Sequence, residues 1–468
     1  MTSTSSSTIA VTDQLAAFAA ALEWDAVPAH VRAMMPVLMI DMFRAAAVGR
    51  DRPWTRAVAQ VFGAGTGSEA ASVLFGDKRI EPGRAAFVNG TAAGGLDWDD
   101  SHVAAIIHPG VCIWPAALAA AEISGASGRE LLTAVLAGYE VAIRVGMSIQ
   151  PEHSLRGFQG TPTCGALGAA IACARLFRLP QAGIRNALGI AATFACGLSQ
   201  FFVSGSDIKR FHAGKAAANG MEAALLARAG LTGPHDAIEG SQGFGRAFSD
   251  RFDAATTVKN LGTHFPTEWT SLKPHATSVR MQAAIEGAAM LAREGARMED
   301  IASIELGVHG AMMSKLASPN PVDYQQAQLS TPFAAAMAIA LTPGRAGPLA
   351  LSVDDFATYL DDAAIRDLSA RTRCIPDAEV ERLTTAEAVP ARVTLTMKDG
   401  RKLEKFVEHP KGSPKNPINT DEVVQRFSAI ATPLFGAGAV EAWLASARDV
   451  EGLTSLAPLF ALRAQASH

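Results

Sequence analysis

The spacing of apolar residues changes once along the chain, near His264, and this change limits the possible folds. Up to about residue 260 apolar side chains recur every three to four residues between Gly and Pro, as they do in packed helices. Beyond that point Ser303–His309 alternates polar and apolar residues with a period of two, which predicts a strand. The sequence therefore predicts a helical part followed by a mixed one.

Individual elements can be placed from their ends. Ser127–Ile149 is predicted as a helix capped by Ser127, and Asn219–Gly230 as another helix, with Gly230 as its stop. A further helix is expected near 277–294. Two strands, Ala391–Met397 and Leu403–Val407, are separated by an Asp-Gly pair that favours a tight hairpin.

These elements predict a mainly α protein in three stretches. Residues 1–264 form the first part of a helical domain, and 265–408 form a smaller α+β lid domain. After the connector His409–Pro417, residues 409–468 form short helices that return to the helical domain.

Composition supports this fold and excludes several partners. The 468 residues are 49% hydrophobic, enough for a large core, while aromatics at 6% and abundant Ala favour closely packed helices. The net charge is -4 and the basic residues are scattered, so no nucleic-acid partner is expected. Neither a secretory signal nor an uninterrupted membrane span is visible, which predicts a cytoplasmic protein without a membrane partner.

The five cysteines lie far apart, without a C-x-x-C pair. That spacing suits neither a zinc knuckle nor an iron–sulfur cluster. They are interpreted as reduced and mostly buried: Cys112, Cys164, Cys173, Cys196 and Cys374.

The segment Leu96–Gly110, LDWDDSHVAAIIHPG, carries three acids, a hydroxyl and two histidines within fifteen positions. Turn formers beside titratable groups are typical of an active-site loop. The alternative is a helix cap, formed by Asp99, Asp100 or Ser101, with solvated acids. Composition alone leaves the two interpretations level.

Three other segments carry candidate residues, each with a simpler explanation. Lys209, in a Gly/Ser-flanked loop before a helix, can meet an anion or form a surface basic pair with Arg210. Gln159 and Thr161 lie in a turn, where a threonine can simply cap the next helix. Lys273–Arg280 is either part of a site or a solvated helix start. His153 and His264 are expected at the surface and receive no role.

Taken in order, these segments resemble the MmgE/PrpD family. The resemblance rests on AFVNGTAAGGLDWDDSH followed by HPG at Ala86–Gly110, and on GF-x-x-T-x-T-x-G at Gly157–Gly165. It also rests on K-x-x-H-x-G at Lys209–Gly214 and the Lys-Pro pair at Lys273.

The resemblance implies a helical domain built from both chain ends, an α+β lid, a homodimer, and no metal or organic cofactor. It implies a site between the domains that moves a proton at a carbon next to a carboxylate of a small carboxylate substrate. Carried over by position, the catalytic residues are Asp97, His108 and Lys209, with Ser101, a Thr in many relatives, beside them. The other expected substrate-binding residues are His102, Gln159, Thr161, His212, His275, Ser278 and Arg280.

Three positions depart from the family pattern. Gln159 replaces a His, Ser278 stands where a His or Cys is expected, and Phe333 replaces an aromatic hydroxyl. Gln159 can bind a carboxylate or hydroxyl but cannot shuttle a proton at ordinary pH. The usual proton relay is therefore not assumed, and decarboxylation of cis-aconitate is the least supported reaction.

Three functions stay open from the sequence. The first is a cofactor-independent hydro-lyase acting on a small hydroxy-carboxylate. The second is an epimerase or isomerase that uses His108 and Lys209 as opposed acid and base. The third is a family member that binds a metabolite without turnover.

Overall fold

Helices dominate the computed structural model, which describes residues 9–64 and 70–463. With 59% of the described residues in helices, the predicted mainly α class is confirmed. The first part of the chain holds α1 (Val11–Ala21), α2 (Ala29–Gly49), α3 (Pro53–Phe62), α4 (Pro82–Gly94), α5 (Gly110–Ser124), α6 (Gly128–Ile149), α7 (Glu152–Leu155), α8 (Gly160–Leu176), α9 (Gln181–Phe194), α10 (Phe201–Ser204), α11 (Ile208–Arg228), α12 (Phe244–Phe248) and α13 (Ala254–Val258). The later part holds α14 (Gln282–Arg293), α15 (Tyr324–Gln328), α16 (Thr331–Leu341), α17 (Val353–Tyr359), α18 (Ala363–Ala370), α19 (Ala378–Leu383), α20 (Thr420–Phe435) and α21 (Ala437–Arg448).

Within the described residues, the strands form three small sheets. They are β1 (Ala71–Ser72), β2 (Arg79–Ile80), β3 (Ser101–His102), β4 (Thr270–Ser271), β5 (Ile301–Val308), β6 (Thr372–Pro376), β7 (Ala391–Met397) and β8 (Lys402–Val407). β1 pairs with β2 and β3 with β4, while the largest sheet has the order β6-β5-β7-β8. In that sheet β5 runs parallel to β6 and antiparallel to β7.

The predicted strands and their hairpin are confirmed. β7 spans the expected residues and alternates buried with half-buried side chains. It pairs antiparallel with β8 across a turn in which Met397 N donates to Arg401 O at 2.8 Å. Gly400 has a φ of 88° there, a conformation that suits the Asp-Gly pair.

Small side chains let the central helices pack closely. α6 begins after Ser127, whose side chain forms a reciprocal capping box with Glu130, as its sequence predicts. At the contact of α6 with α8, a Cβ on Gly138 would stand 2.5 Å from the carbonyl oxygen of Gly168. The Ala and Gly content thus allows helix axes to approach without bulky side chains between them.

Two large apolar clusters divide the interior. The first joins most of the helices from α1 to α11 to the C-terminal helices, where Trp443 of α21 packs against Phe43 of α2 at 4.8 Å between ring centroids. It also includes Phe265 and Leu272. The second lies between α14, α16 and the four-stranded sheet. The division into domains at residues 264 and 408 stays a prediction.

Three expectations about local structure are wrong. The helical stretch before residue 264 is not free of strands, since β1, β2 and β3 lie in it. α11 starts at Ile208, so Lys209 lies in its first turn and not in a loop. The prediction failed because the polar residues of that turn hide the helical periodicity. His153 is fully buried, with Nε2 bonded to Thr163 Oγ1 at 2.9 Å between the rings of Phe158 and Phe248.

Among the described residues one helix, α6, is long and apolar enough to cross a membrane, although 94% of that apolar stretch is buried inside the protein. Its charged residues Glu140 and Arg144 form an ion pair at 3.0 Å within the interior. α6 is therefore the central helix of the core. The first eight residues, part of the stretch searched for a signal, lie outside the described residues.

Candidate active site

The segment Leu96–Gly110 folds back on itself and buries its acids. His102 and Ile107 exchange backbone hydrogen bonds, which close a short turn. Asp97, Asp99 and Asp100 are 8%, 2% and 5% exposed, so the alternative of solvated acids is wrong. Asp97 has a φ of 54° and Ile106 one of 52°, a left-handed conformation that residues other than Gly rarely adopt.

Hydrogen bonds to four consecutive backbone carbonyl groups hold Asp97 in that conformation. Arg210 donates to Gly95 O at 2.7 Å, and Gln328 donates to Leu96 O at 2.9 Å. Lys273 Nζ donates to Asp97 O at 2.7 Å, and the buried guanidinium of Arg44 donates to Trp98 O. Residues from four separate elements thus fix one strained loop, as is common at functional sites.

The carboxylate of Asp97 lies between two ammonium groups. Lys209 donates to Oδ2, and Lys273, itself fully buried, donates to Oδ1 at 2.8 Å. Burial opposes the charged form of Asp97, but the two lysines outweigh burial and hold the pKa of this carboxyl well below its usual range.

The two amines differ in their electrostatic balance. Burial lowers the pKa of Lys209, and Asp97 offsets this only in part. Burial also acts on Lys273, but Asp97 and Asp99 outweigh it and raise the pKa of that amine. Lys273 is therefore the more firmly protonated amine, whereas Lys209 can give up its proton more readily.

The imidazole of His108 is oriented by three oxygen atoms. Its Nδ1 lies 3.0 Å from Asp99 Oδ2, 3.0 Å from the carbonyl of Asp100 and 3.1 Å from Ser101 Oγ. Since a carboxylate and a carbonyl only accept, Nδ1 carries a proton and Nε2 is turned to the other side, 3.7 Å from Asp97 Oδ1. The backbone N–H of His108 donates to Thr161 Oγ1 at 3.1 Å, which anchors the turn on α8.

Two small adjoining recesses, each with room for about one water molecule, open beside these groups. Asp97 and Lys209 line both. One recess also carries His108, Gln159, Thr161 and His212, and the other carries Arg210, Gln325 and Gln328. The sequence candidates Asp97, His108, Lys209, Gln159, Thr161 and His212 are therefore brought together, and Ser101 joins them through His108.

Asp100 lies directly behind this cluster. Its carboxyl accepts from Gly110 N at 3.0 Å and from the hydroxyl of Tyr139 at 2.7 Å. Burial and the neighbouring charge of Asp99 raise its pKa to about 7. Asp100 thus ties the Leu96–Gly110 loop to the start of α5 and to the middle of α6.

A metal-like donor set occurs in the cluster, since ligand atoms of Asp97, Asp99 and His108 lie within 4.8 Å of one another. However, Lys273 Nζ is 2.8 Å from Asp97 Oδ1 and 3.5 Å from Asp99 Oδ1. An ammonium group thus stands against both carboxylates, and a divalent ion would have to displace it. The set fits a lysine better than a metal, and the absence of a metal stays a prediction.

Other sequence candidates lie apart from the recesses. His102 is fully buried, with its ring nitrogens against Pro266 O at 3.2 Å and Ala105 N at 3.1 Å, and burial lowers its pKa to about 4. His275 accepts from Leu351 N at 3.1 Å, and burial, with the charge of Arg426, lowers its pKa to about 3. Ser278 caps a short 3-10 turn.

Arg280 follows in that same 3-10 turn, half-buried and outside both recesses. Phe333 is buried in the second apolar cluster. The structure therefore does not bring His102, His275, Ser278 or Arg280 to the Asp97 cluster. The simple explanation of Lys273–Arg280 as a solvated helix start also fails, because Lys273 and His275 are buried.

Two residues of the cluster were not among the sequence candidates. Lys273 and Asp99 complete the contacts of Asp97 and His108. Asp99 was visible as the second acid of the DWDD run, but its role depends on a turn that returns His108 to it. For Lys273, the only local signal was the Lys-Pro pair that also supports the family resemblance.

Known proteins resemble this chain along most of its length. Residues 13–257 match the MmgE/PrpD N-terminal domain, and residues 275–451 match the MmgE/PrpD C-terminal domain. The chain is 27% identical to a cis-aconitate decarboxylase-like protein of Aspergillus oryzae, over 97% of each chain. It is 24% identical to cis-aconitate decarboxylase of Aspergillus terreus, over 97% of this chain and 95% of the relative.

The human cis-aconitate decarboxylase is 26% identical over 84% of this chain and 82% of the relative. These three relatives are named as decarboxylases or as decarboxylase-like. Because the two domain matches together cover most of the sequence, the chain belongs to the MmgE/PrpD family.

Proposed function

We propose that the protein is a lyase that removes a proton next to a carboxylate of a small hydroxy-carboxylate and expels water, without an organic cofactor. The observation that carries the proposal is the shared cleft of Lys209, His108 and Asp97. The α-proton of a carboxylate is weakly acidic, so the charge that develops on the carboxylate needs a fixed cation.

The cluster divides the work among its members. Lys209 lines both recesses and supplies a cation at the point where a substrate carboxylate enters. Lys273 keeps Asp97 charged, and Asp97 in turn holds Lys209 in place. His108 presents Nε2 on the cleft side, while Asp99 and the Asp100 carbonyl hold Nδ1, so His108 can give a proton to a leaving hydroxyl.

Decarboxylation is the second candidate. It is favoured by relatives named as cis-aconitate decarboxylases, which align with this chain over 97% of its length. The same cation can stabilise the charge left on carbon when carbon dioxide departs. Against it stand Gln159, Ser278 and Phe333, which lack the titratable groups expected at these positions.

Product analysis separates the candidates. The protein is incubated with citrate, isocitrate, malate and cis-aconitate in deuterated water and followed by NMR. The proposal predicts an alkene from a hydroxy acid, or the reverse addition of water, with deuterium incorporated beside a carboxylate. Loss of carbon dioxide would establish the second candidate, and scrambled stereochemistry without water loss would establish an epimerase. Binding without exchange would leave only a metabolite-binding role.

The predicted cytoplasmic location and homodimer belong to this proposal as well. They rest on the sequence and on the family resemblance.

A further inference from the structure

A second imidazole, that of His212, lines the cleft from the second turn of α11. Its side chain lines the same recess as His108 and Lys209 and is 6% exposed. Lys209 and His212 are three positions apart on α11, so their side chains lie on one face of the helix. The ring of Phe201 meets the imidazole edge-on at 5.9 Å and limits its rotation.

Gln159 determines which nitrogen of His212 is available. The side-chain oxygen of Gln159 is hydrogen-bonded to His212 Nδ1. An amide oxygen only accepts, so Nδ1 carries the proton and Nε2 keeps its lone pair. Within residues 9–64 and 70–463, no protein group is hydrogen-bonded to Nε2 of His212 or to the amide nitrogen of Gln159.

Burial and a neighbouring positive charge keep the imidazole of His212 neutral. Burial and then the positive charge of Lys209 lower the pKa of His212 to about 4. The other charged or titratable groups of the recess are His108, Asp97 and Asp99. At neutral pH the ring is therefore a proton acceptor, and a bound carboxylate beside it makes it more basic by offsetting Lys209.

We propose that His212 is the catalytic base that takes the carbon-bound proton, and that Gln159 is the positioning residue that fixes its tautomer. This assignment rests on the lyase function proposed above. Gln159 thus contributes to proton transfer by orienting His212, although its own amide cannot carry the proton.

The step balances as a dehydration. The Nε2 lone pair of His212 takes the proton, and the electrons of the C–H bond form the carbon–carbon double bond. The C–O bond breaks with its electron pair on oxygen, and the hydroxyl leaves as water with a proton from Nε2 of protonated His108. His212 then returns its proton to solvent and His108 takes one up.

The first test compares His212→Phe with His235→Phe, whose side chain is 80% exposed. Deuterium exchange and turnover are measured by NMR with citrate, isocitrate, malate and cis-aconitate. Because a positioned base contributes about 10² to 10⁴ in rate, we expect His212→Phe to lower kcat at least about 100-fold. Binding of tricarballylate, measured by calorimetry, should change less than about threefold, and His235→Phe should match the wild type.

A second variant retains the imidazole. In Gln159→Glu a carboxylate replaces the amide at Nδ1, which favours the protonated ring. The acid limb of kcat/KM should then move to higher pH by about one unit or more. A merely structural role for Gln159 would lower activity without moving that limb.

The outcomes separate this inference from the lyase function. If the wild type turns over and the kcat of His212→Phe is within about threefold of it, the role of His212 is overturned and the lyase function stands. A wild type that binds tricarballylate yet neither exchanges nor converts any of the four acids would overturn both. An unchanged acid limb in Gln159→Glu would overturn the role of Gln159.

Discussion

At the residue scale, three adjacent acids have three different roles because their neighbours differ. Asp97 contacts two ammonium groups, Asp99 contacts His108, and Asp100 contacts a backbone N–H and a tyrosine hydroxyl. Cations therefore favour the charged form of the first two, whereas the third is buried beside a like charge. Composition alone cannot assign these roles, since all three residues are aspartates in one run.

Asp100 makes stability depend on pH in a predictable direction. Its pKa is about 7 in the folded protein, against about 4 for an unfolded chain, so the folded state holds the proton between these values. Stability from this group is present at low pH and falls as pH rises from about 4 to about 7. Asp100→Asn cannot ionise and should lack that fall.

Urea unfolding at a series of pH values measures this difference. Relative to the wild type, Asp100→Asn should gain stability on the order of 3 kcal/mol between pH 4 and pH 8. The exposed Asp361→Asn is the control and should show no such trend. A constant difference between Asp100→Asn and wild type over this range would contradict the raised pKa.

At the scale of elements, the site depends on segments that converge on the carbonyls of Gly95 to Trp98. They include α2 through Arg44, α11 through Arg210, and α15 through Gln328. α20 adds Arg426, which donates to Lys273 O at 2.7 Å. Both the helical part and the mixed part of the chain thus hold the strained Asp97.

Gln328 tests whether this convergence matters. Its amide nitrogen donates to Leu96 O at 2.9 Å and to Ala276 O at 2.8 Å, and the residue is buried. Gln328→Leu leaves two buried carbonyls without these donors, so we expect a loss of about 1 to 3 kcal/mol and slower turnover. Thermal unfolding and initial rates measure the two effects.

The neighbouring Gln326→Leu is the matched control, because Gln326 is exposed on the same helix. It should alter unfolding by less than about 0.5 kcal/mol. Equal effects of the two substitutions would show that the contacts of Gln328 with the Asp97 loop contribute neither to stability nor to turnover.

At the scale of the whole molecule, local signals predicted elements and distant contacts decided the site. The hairpin of β7 and β8 and the capping box of α6 depend on a few adjacent residues and were predictable. The buried His153 and the helical position of Lys209 were not. The distant Phe248 helps to cover His153, and the polar first turn of α11 hides its helical periodicity. Family motifs supplied Asp97, His108 and Lys209, but not the contacts of Lys273 or Asp99.

We propose that one cleft, with Lys209 as its cation, activates a carbon–hydrogen bond next to a carboxylate. The most direct measurement is the rate of deuterium incorporation into the acid that the wild type converts, followed by NMR for Lys209→Ala and Lys215→Ala. Both lysines lie on α11, but only Lys209 lines the recesses. We predict a loss of at least about 100-fold for Lys209→Ala and a near-wild-type rate for Lys215→Ala. Equal rates in the two folded variants would contradict the claim.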